Sequence, residues 1–322
     1  MRVARALEEA AEFGPTAVTI GNFDGVHVGH RRLLQEVVCA AREGGVEPAA
    51  LTFDPHPAAI VAPGRVTRLL SGQAERCSIM AQAGIEYVLI LPFTNSVAQW
   101  TPEQFVERVL ARSLHARIVV IGENFRFGHK QVGDTKVLAE LGKRFGFEVR
   151  VVSSVTLRGK TVSSSEIRRA VESGKVELAG RFLARPFALE GQVVSGHGIG
   201  SKQTVPTLNL ETKAQVLPKV GVYITRTTDS ELEYRSWNSI TNVGYRPTFE
   251  GDTDGKLSIE TFLLDPYTSP APDSIRVEFL RRVRDERKFE SADALKAQIL
   301  KDVTRAQVYF RRTKHWTGPR SL

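Results

Sequence analysis

Apolar positions along this chain follow two different rhythms. From residue 17 to about residue 186, short β-branched or aliphatic runs alternate with stretches whose apolar positions recur every three or four residues. The runs are 17–20, 49–53, 87–91, 118–122 and 149–155, and the periodic stretches are 31–38, 73–83, 102–114 and 135–145. Thr101-Pro102-Glu103 marks one helix start, with threonine as cap and proline at the first helical position. Such alternation predicts a parallel sheet with helices on both faces, a Rossmann-like α/β domain whose ligands sit at the carboxyl ends of the strands. From about Phe187 the helical rhythm stops. Short alternating runs at 189–195, 221–226, 235–243, 258–264 and 275–281, separated by Gly, Pro, Asp and Ser, predict a small antiparallel β-barrel or sandwich. A closing helix follows, capped by Ser291, with Ala294, Leu295, Ile299, Val303 and Val308 on or near one face. The predicted domains are 1–186 and 187–322, and residues 317–322 are expected to fray.

Composition changes this picture little. With 42% hydrophobic and 25% charged residues the chain reads as soluble and globular. Its longest apolar run, 87–93, is far too short for a bilayer, and the N-terminus lacks a signal-peptide core. Cys39 and Cys77 lie in helical patterns and are expected to be buried free thiols in a reducing cytoplasm. The net charge is +8 and the pI 9.6. The basic residues are dispersed, apart from 281–287 and 311–314, and no nucleic-acid-binding signature accompanies them. The excess is read as attraction for phosphate substrates plus solvated surface. No nucleic-acid or membrane partner is expected, and the chain is expected to be a monomer or weak homo-oligomer.

The densest chemistry lies at 21–30, Gly-Asn-Phe-Asp-Gly-Val-His-Val-Gly-His, between the first run and the first helix. A helix start offers unpaired N–H groups and partial positive charge, so it attracts anions. His27 and His30, three apart, share a face of the first turn. Glycine lets a phosphate chain approach the backbone. The site suits a nucleotide triphosphate; ordinary turn and cap histidines are the alternative. No Gly-Lys-Ser/Thr follows, which excludes a Walker-type phosphate loop.

Further segments sit at other strand ends. Phe53-Asp54-Pro55-His56-Pro57 is a stiff loop, or simply a turn. Gly122-Glu123-Asn124-Phe125-Arg126-Phe127-Gly128 places two aromatics around an arginine, suited to a planar ring or to capping the core. Ser163-Ser164-Ser165-Glu166-Ile167-Arg168 opens a helix; Ser164 or Ser165 can cap it, with Arg168 near its mouth. In the second half, 191–200 pairs a strand with a glycine-rich flap, and Val205-Pro206-Thr207-Leu208-Asn209-Leu210 follows. Thr207 and Asn209 alternate to one face, where a hydroxyl and an amide oxygen could hold Mg²⁺ with ATP, or face solvent. Glu260, between apolar neighbours on a strand, is either an outward carboxylate or a general base.

Taken in order, these segments resemble the bacterial bifunctional riboflavin kinase/FAD synthetase family, over nearly the whole chain. The resemblance implies ATP-dependent phosphorylation of riboflavin to FMN by the C-terminal domain, and adenylylation of FMN to FAD by the N-terminal domain. It implies ATP contacts from Gly21, Phe23, Asp24, Gly25, His27, His30, Ser164 and Arg168, and in the flap from Gly196, Gly198, Gly200 and Lys202. Flavin contacts are implied for Phe53, Pro55, Pro57, Asn124, Phe127 and Arg284. Adenylyl transfer is implied for His27, His30, Asn124, Ser164 and Arg168. Mg²⁺ is implied at Thr207 and Asn209, and the kinase base at Glu260. One departure stands out: the family usually has glycine and an aromatic before Pro-Thr, where this chain has Thr204-Val205, and a common arginine is Lys202. A non-catalytic flavin-binding barrel is the alternative that this departure raises.

Overall fold

The computed structural model describes residues 1–64, 68–194, 207–232, 235–245, 257–265, 272–287 and 289–313. The chain divides into two compact units, Met1–Ser164 and Ser165–Leu322. In the first, β1 (Arg2–Ala4), β2 (Thr16–Ile20), β3 (Glu47–Asp54), β4 (Tyr87–Pro92), β5 (Ala116–Gly122) and β6 (Glu148–Val152) form a parallel sheet in the order β1-β4-β3-β2-β5-β6. Helices α1 (Leu7–Ala10), α2 (Val28–Gly44), α3 (Pro57–Val61), α4 (Gln73–Gln82), α5 (Asn95–Ala98), α6 (Pro102–Phe105) and α7 (Thr135–Phe145) connect the strands. Successive strand residues feed two separate cores. Val18, Leu51 and Leu89 enter one, while Ala17, Ala50 and Val88 enter the other. A sheet buried on both faces needs this continuous apolar content rather than alternation. A two-stranded hairpin, β7 (Thr156–Leu157) with β8 (Lys160–Thr161), ends the unit.

The five anticipated strands are present. The short edge strand β1 has no run long enough to announce it. The helix anticipated at 102–114 starts as expected, with Thr101 and Gln104 forming a reciprocal capping box. It then widens to a π-helix over Val106–Ser113, where the amide of Leu114 bonds the carbonyl of Val109, five residues back. The cysteines are free but not buried as expected: Cys39 is exposed and Cys77 only half-buried. On α2 the buried residues are Leu34, Val37, Ala40 and Ala41, and Cys39 falls on the opposite side of the 3.6-residue turn.

The second unit begins with α8 (Ser164–Glu172, its first residue closing the first unit) and α9 (Val176–Leu183). The sequence rhythm assigned this helical pair to the first domain. It groups instead with the barrel: α9 packs on β14 and β9, and the amide of Lys219 bonds the carbonyl of Val171. Strands β9 (Phe187–Val194), β10 (Thr207–Glu211), β11 (Gly221–Asp229), β12 (Ser236–Tyr245), β13 (Leu257–Leu263) and β14 (Ser274–Arg284) close an antiparallel barrel in the order β10-β13-β12-β11-β14-β9. Its inward residues mix Tyr223, Val277 and Phe279 with a hydroxyl ladder, Thr227–Ser239–Thr225–Thr241–Thr261, with each link between 2.8 and 3.0 Å. A hydroxyl can donate or accept, and each of the five has at least one partner in the ladder, so burying them leaves no orphaned group. Helix α10 (Ala292–Thr313), capped by Ser291, lays Ala306 and Phe310 against the outward Val222, Ile224 and Ile240.

Candidate active sites

In the first unit the strand order reverses between β2 and β5, so the loops after these two strands flank the switch point of the sheet. The β2 loop, 21–27, is held in a strained shape. Phe23 (φ 49°), Gly25 (φ 76°) and Val26 (φ 37°) are all left-handed; glycine adopts this freely, but at Phe23 and Val26 it is a cost that persists only where surroundings over-determine it. The surroundings do so. The Asp24 carboxylate accepts the amides of Leu70 (2.8 Å) and Ser71 (3.4 Å), and the Ser71 hydroxyl accepts the amide of Gly25 at 2.9 Å. Arg76 and Thr52 both donate to the carbonyl of Asn22, at 2.9 and 3.3 Å. Ser164, expected as a helix cap, donates its hydroxyl to the carbonyl of Asp24 at 2.9 Å, bringing the serine segment to the loop. Phe23 is fully buried under Gly21, where a side chain would meet its ring.

His27 caps α2: its Nδ1 accepts the amide of His30 at 3.3 Å. In the neutral ring this places the proton on Nε2, which becomes a donor. The two imidazoles stack, with centroids 3.7 Å apart and planes 13° from parallel. Burial, then the adjacent His27, holds the pKa of His30 well below its ordinary 6.5. The Nδ1 of His30 is buried without a hydrogen-bond partner.

The β3 loop places Pro57 at the first position of α3, with His56 as its cap, and the Asp54–Pro55 peptide is cis. Phe53 is half-buried against the core, edge-on to Phe93. In the β5 loop, Asn124 is exposed and its amide donates to the Ser154 hydroxyl at 3.2 Å. Glu123 accepts the Ser154 amide at 2.9 Å, and Ser154 holds its carboxyl below the usual range. Phe127 departs from the open position expected of a flavin contact. It is 6% exposed, stacked beneath Phe125 and tilted against Phe105, so it anchors the loop to the core. Arg168, on α8 in the second unit, reaches back to the Ser165 hydroxyl at 3.4 Å.

On the barrel, Leu208 and Leu210 point inward, which turns Thr207 and Asn209 outward. Strand register then lines up one outward row: Arg284, Val222, Asn242, Glu260 and Asn209. Glu260 stands directly opposite both Asn209 and Asn242, and its Oε1 accepts the Ser258 hydroxyl at 2.9 Å. Asn242 donates to Glu286 at 3.5 Å, and Glu286 lies across Gly244, where a Cβ would stand 2.1 Å from its oxygen. Arg284 is held from α10, its Nε donating to the buried Asp302 at 2.8 Å. Gln298 donates to the other oxygen of Asp302 at 2.9 Å. Gly196, Gly198, Gly200, Lys202 and the Thr204-Val205 departure lie outside the described residues.

Two stretches of the chain match family models: FAD synthetase over residues 9–166 and riboflavin kinase over residues 183–310. The bifunctional riboflavin kinase/FMN adenylyltransferase of Escherichia coli (strain K12) is 33% identical over 312 residues, 96% of each chain. The protein of that name from Haemophilus influenzae is 34% identical over 315 residues, 96% of this chain and 99% of its own. The chain belongs to this bifunctional family. A solved structure from Streptococcus pneumoniae, described as a macrolide-efflux protein, superposes with a TM-score of 0.83 at 26% identity, covering 95% of this chain and 97% of its own. That description is of the other protein. Among the described residues here, no helix is long and apolar enough to cross a membrane.

Several residues that shape the sites escape a reading by motif: Ser71, Arg76, Ser154 and Asp302. Arg76 had a signal. It occupies the apolar stripe of α4 with Ile79 and Met80, a place where a charge needs a reason.

Proposed function

We infer that the chain carries out two reactions in series: riboflavin and ATP give FMN and ADP, then FMN and a second ATP give FAD and pyrophosphate. The observation that carries the kinase half is the outward row that sets Glu260 opposite Asn209, two residues from Thr207 on the same face. The Ser258 hydroxyl occupies one carboxylate oxygen of Glu260. The other takes the proton of the riboflavin 5′-hydroxyl as that oxygen attacks the γ-phosphorus. Arg284, oriented by Asp302, serves the flavin side.

In the first unit the phosphate of FMN attacks the α-phosphorus of ATP and pyrophosphate leaves. No covalent enzyme intermediate is needed; alignment and charge neutralisation suffice. His27 donates from Nε2 to a phosphate oxygen, and neutral His30 stacks behind it. Ser164 and Arg168 stabilise the departing pyrophosphate. Asn124, oriented by Ser154, and Phe53 with its proline loop serve the flavin; Phe127 anchors the loop that carries Asn124 to the core.

A hydroxyl and an amide oxygen are hard donors that fit Mg²⁺, and no group of three acidic, His or Cys ligands stands among the described residues. Thr207 and Asn209 would therefore share the ion with ATP phosphates, where it supplies charge neutralisation. Free thiols at Cys39 and Cys77 support a reducing, cytoplasmic setting.

Glu260→Gln tests the assignment in the intact chain. It is expected to cut riboflavin phosphorylation by roughly 10²–10⁴-fold while FMN is still converted to FAD. Wild-type phosphorylation in this variant, read by flavin chromatography, would remove Glu260 from the mechanism.

A further inference from the structure

Arg76 on α4 is only 4% exposed. Its Nη1 donates to the carbonyl of Asn22, inside the strained loop that caps α2 with His27. Its Nε is buried with no hydrogen-bond partner, and no carboxylate pairs with it among the described residues. Asp24, two residues along the same loop, is engaged by the amides of Leu70 and Ser71. A buried guanidinium without an anion is unfavourable in the free protein. Asn22 needs a donor, yet the hydroxyl of Thr52 already supplies one at 3.3 Å. The charge of Arg76 is thus surplus to the hydrogen bonding of the loop.

We propose that Arg76 is a positioning residue of the adenylyl-transfer site: its buried guanidinium sets the Asn22 peptide of the phosphate-binding loop, and its charge is compensated when a nucleotide triphosphate binds. The proposal rests on the reading that loop 21–30 holds ATP. Arginine suits the role because it stays protonated wherever it is buried and directs a fixed fork of donors. Part of the affinity for ATP then comes from relieving an unfavourable charge already inside the free protein.

The test compares full-length Arg76→Met and Arg76→Lys with wild type. Three quantities are read: Tm without ligand, the rise in Tm with ATP and MgCl₂, and KM and kcat for FMN adenylylation. Riboflavin phosphorylation in the same samples is the control. Arg76→Met is expected to keep or raise the ligand-free Tm, to lose most of the ATP-induced rise, and to raise KM for ATP by about tenfold or more. Arg76→Lys is expected to fall between, keeping charge without the fork. A lower ligand-free Tm with unchanged KM and unchanged ATP-induced rise would overturn the proposal and make Arg76 a packing residue. Should Arg76→Met fail to fold, Arg76→Lys decides: a raised KM supports the proposal and a wild-type KM overturns it. Wild-type protein that forms no FAD and gains no stability from ATP would overturn the reading of the loop itself.

Discussion

His30 carries a prediction that follows from its surroundings alone. Its pKa is lowered in the folded protein, by burial first and by His27 second. Below the ordinary value of 6.5 the unfolded chain binds a proton that the folded one refuses, so stability falls as pH drops through that value. Urea titrations at about pH 7.5 and about pH 5.5 should show this loss, and His30→Gln should reduce it. An identical loss in both proteins would place the titrating group elsewhere. The motif histidines, Asp24 and Glu260 were legible because residue type and spacing announce their chemistry. What the sequence conceals is how each is held. Nothing in the order of residues says that Asp24 faces the amides of Leu70 and Ser71, or that Asp302 reaches Arg284 across 18 positions of chain. Those contacts are made by the fold.

At the scale of elements, periodicity identified long strands and helices well and short or irregular ones poorly. The edge strand β1, three residues long, has too few positions to show a period, and the π-helical turns after Phe105 keep an apolar stripe like that of an α-helix. Barrel closure rests on close backbone approach at Gly191, where a Cβ would stand 2.0 Å from the carbonyl oxygen of Glu211. Gly191→Ala is expected to destabilise the barrel by roughly 1–3 kcal/mol, read by denaturant unfolding. Stability equal to wild type would show that β9 and β10 separate at little cost. Ser291 caps α10 through the amide of Ala294 at 3.2 Å. Ser291→Ala should therefore cost about 1 kcal/mol, read by denaturant unfolding.

Across the whole molecule, the excess positive charge is spent differently from what a basic composition suggests. Within the densest run, Arg281 pairs with Glu177, Arg282 with Asp285, Arg284 with Asp302, and Arg287 bonds Gln298. This run is engaged by its own unit rather than arrayed as a free basic band. The two family matches fall on separate stretches of chain, so each activity should survive loss of the other. The most direct test is a chromatographic time course with purified protein, riboflavin, ATP and MgCl₂. Riboflavin is expected to decline, FMN to rise and then fall, and FAD to accumulate. Unchanged riboflavin alongside conversion of added FMN to FAD would contradict the kinase assignment and turn attention to Thr204 and Val205; conversion of neither flavin would contradict the account as a whole.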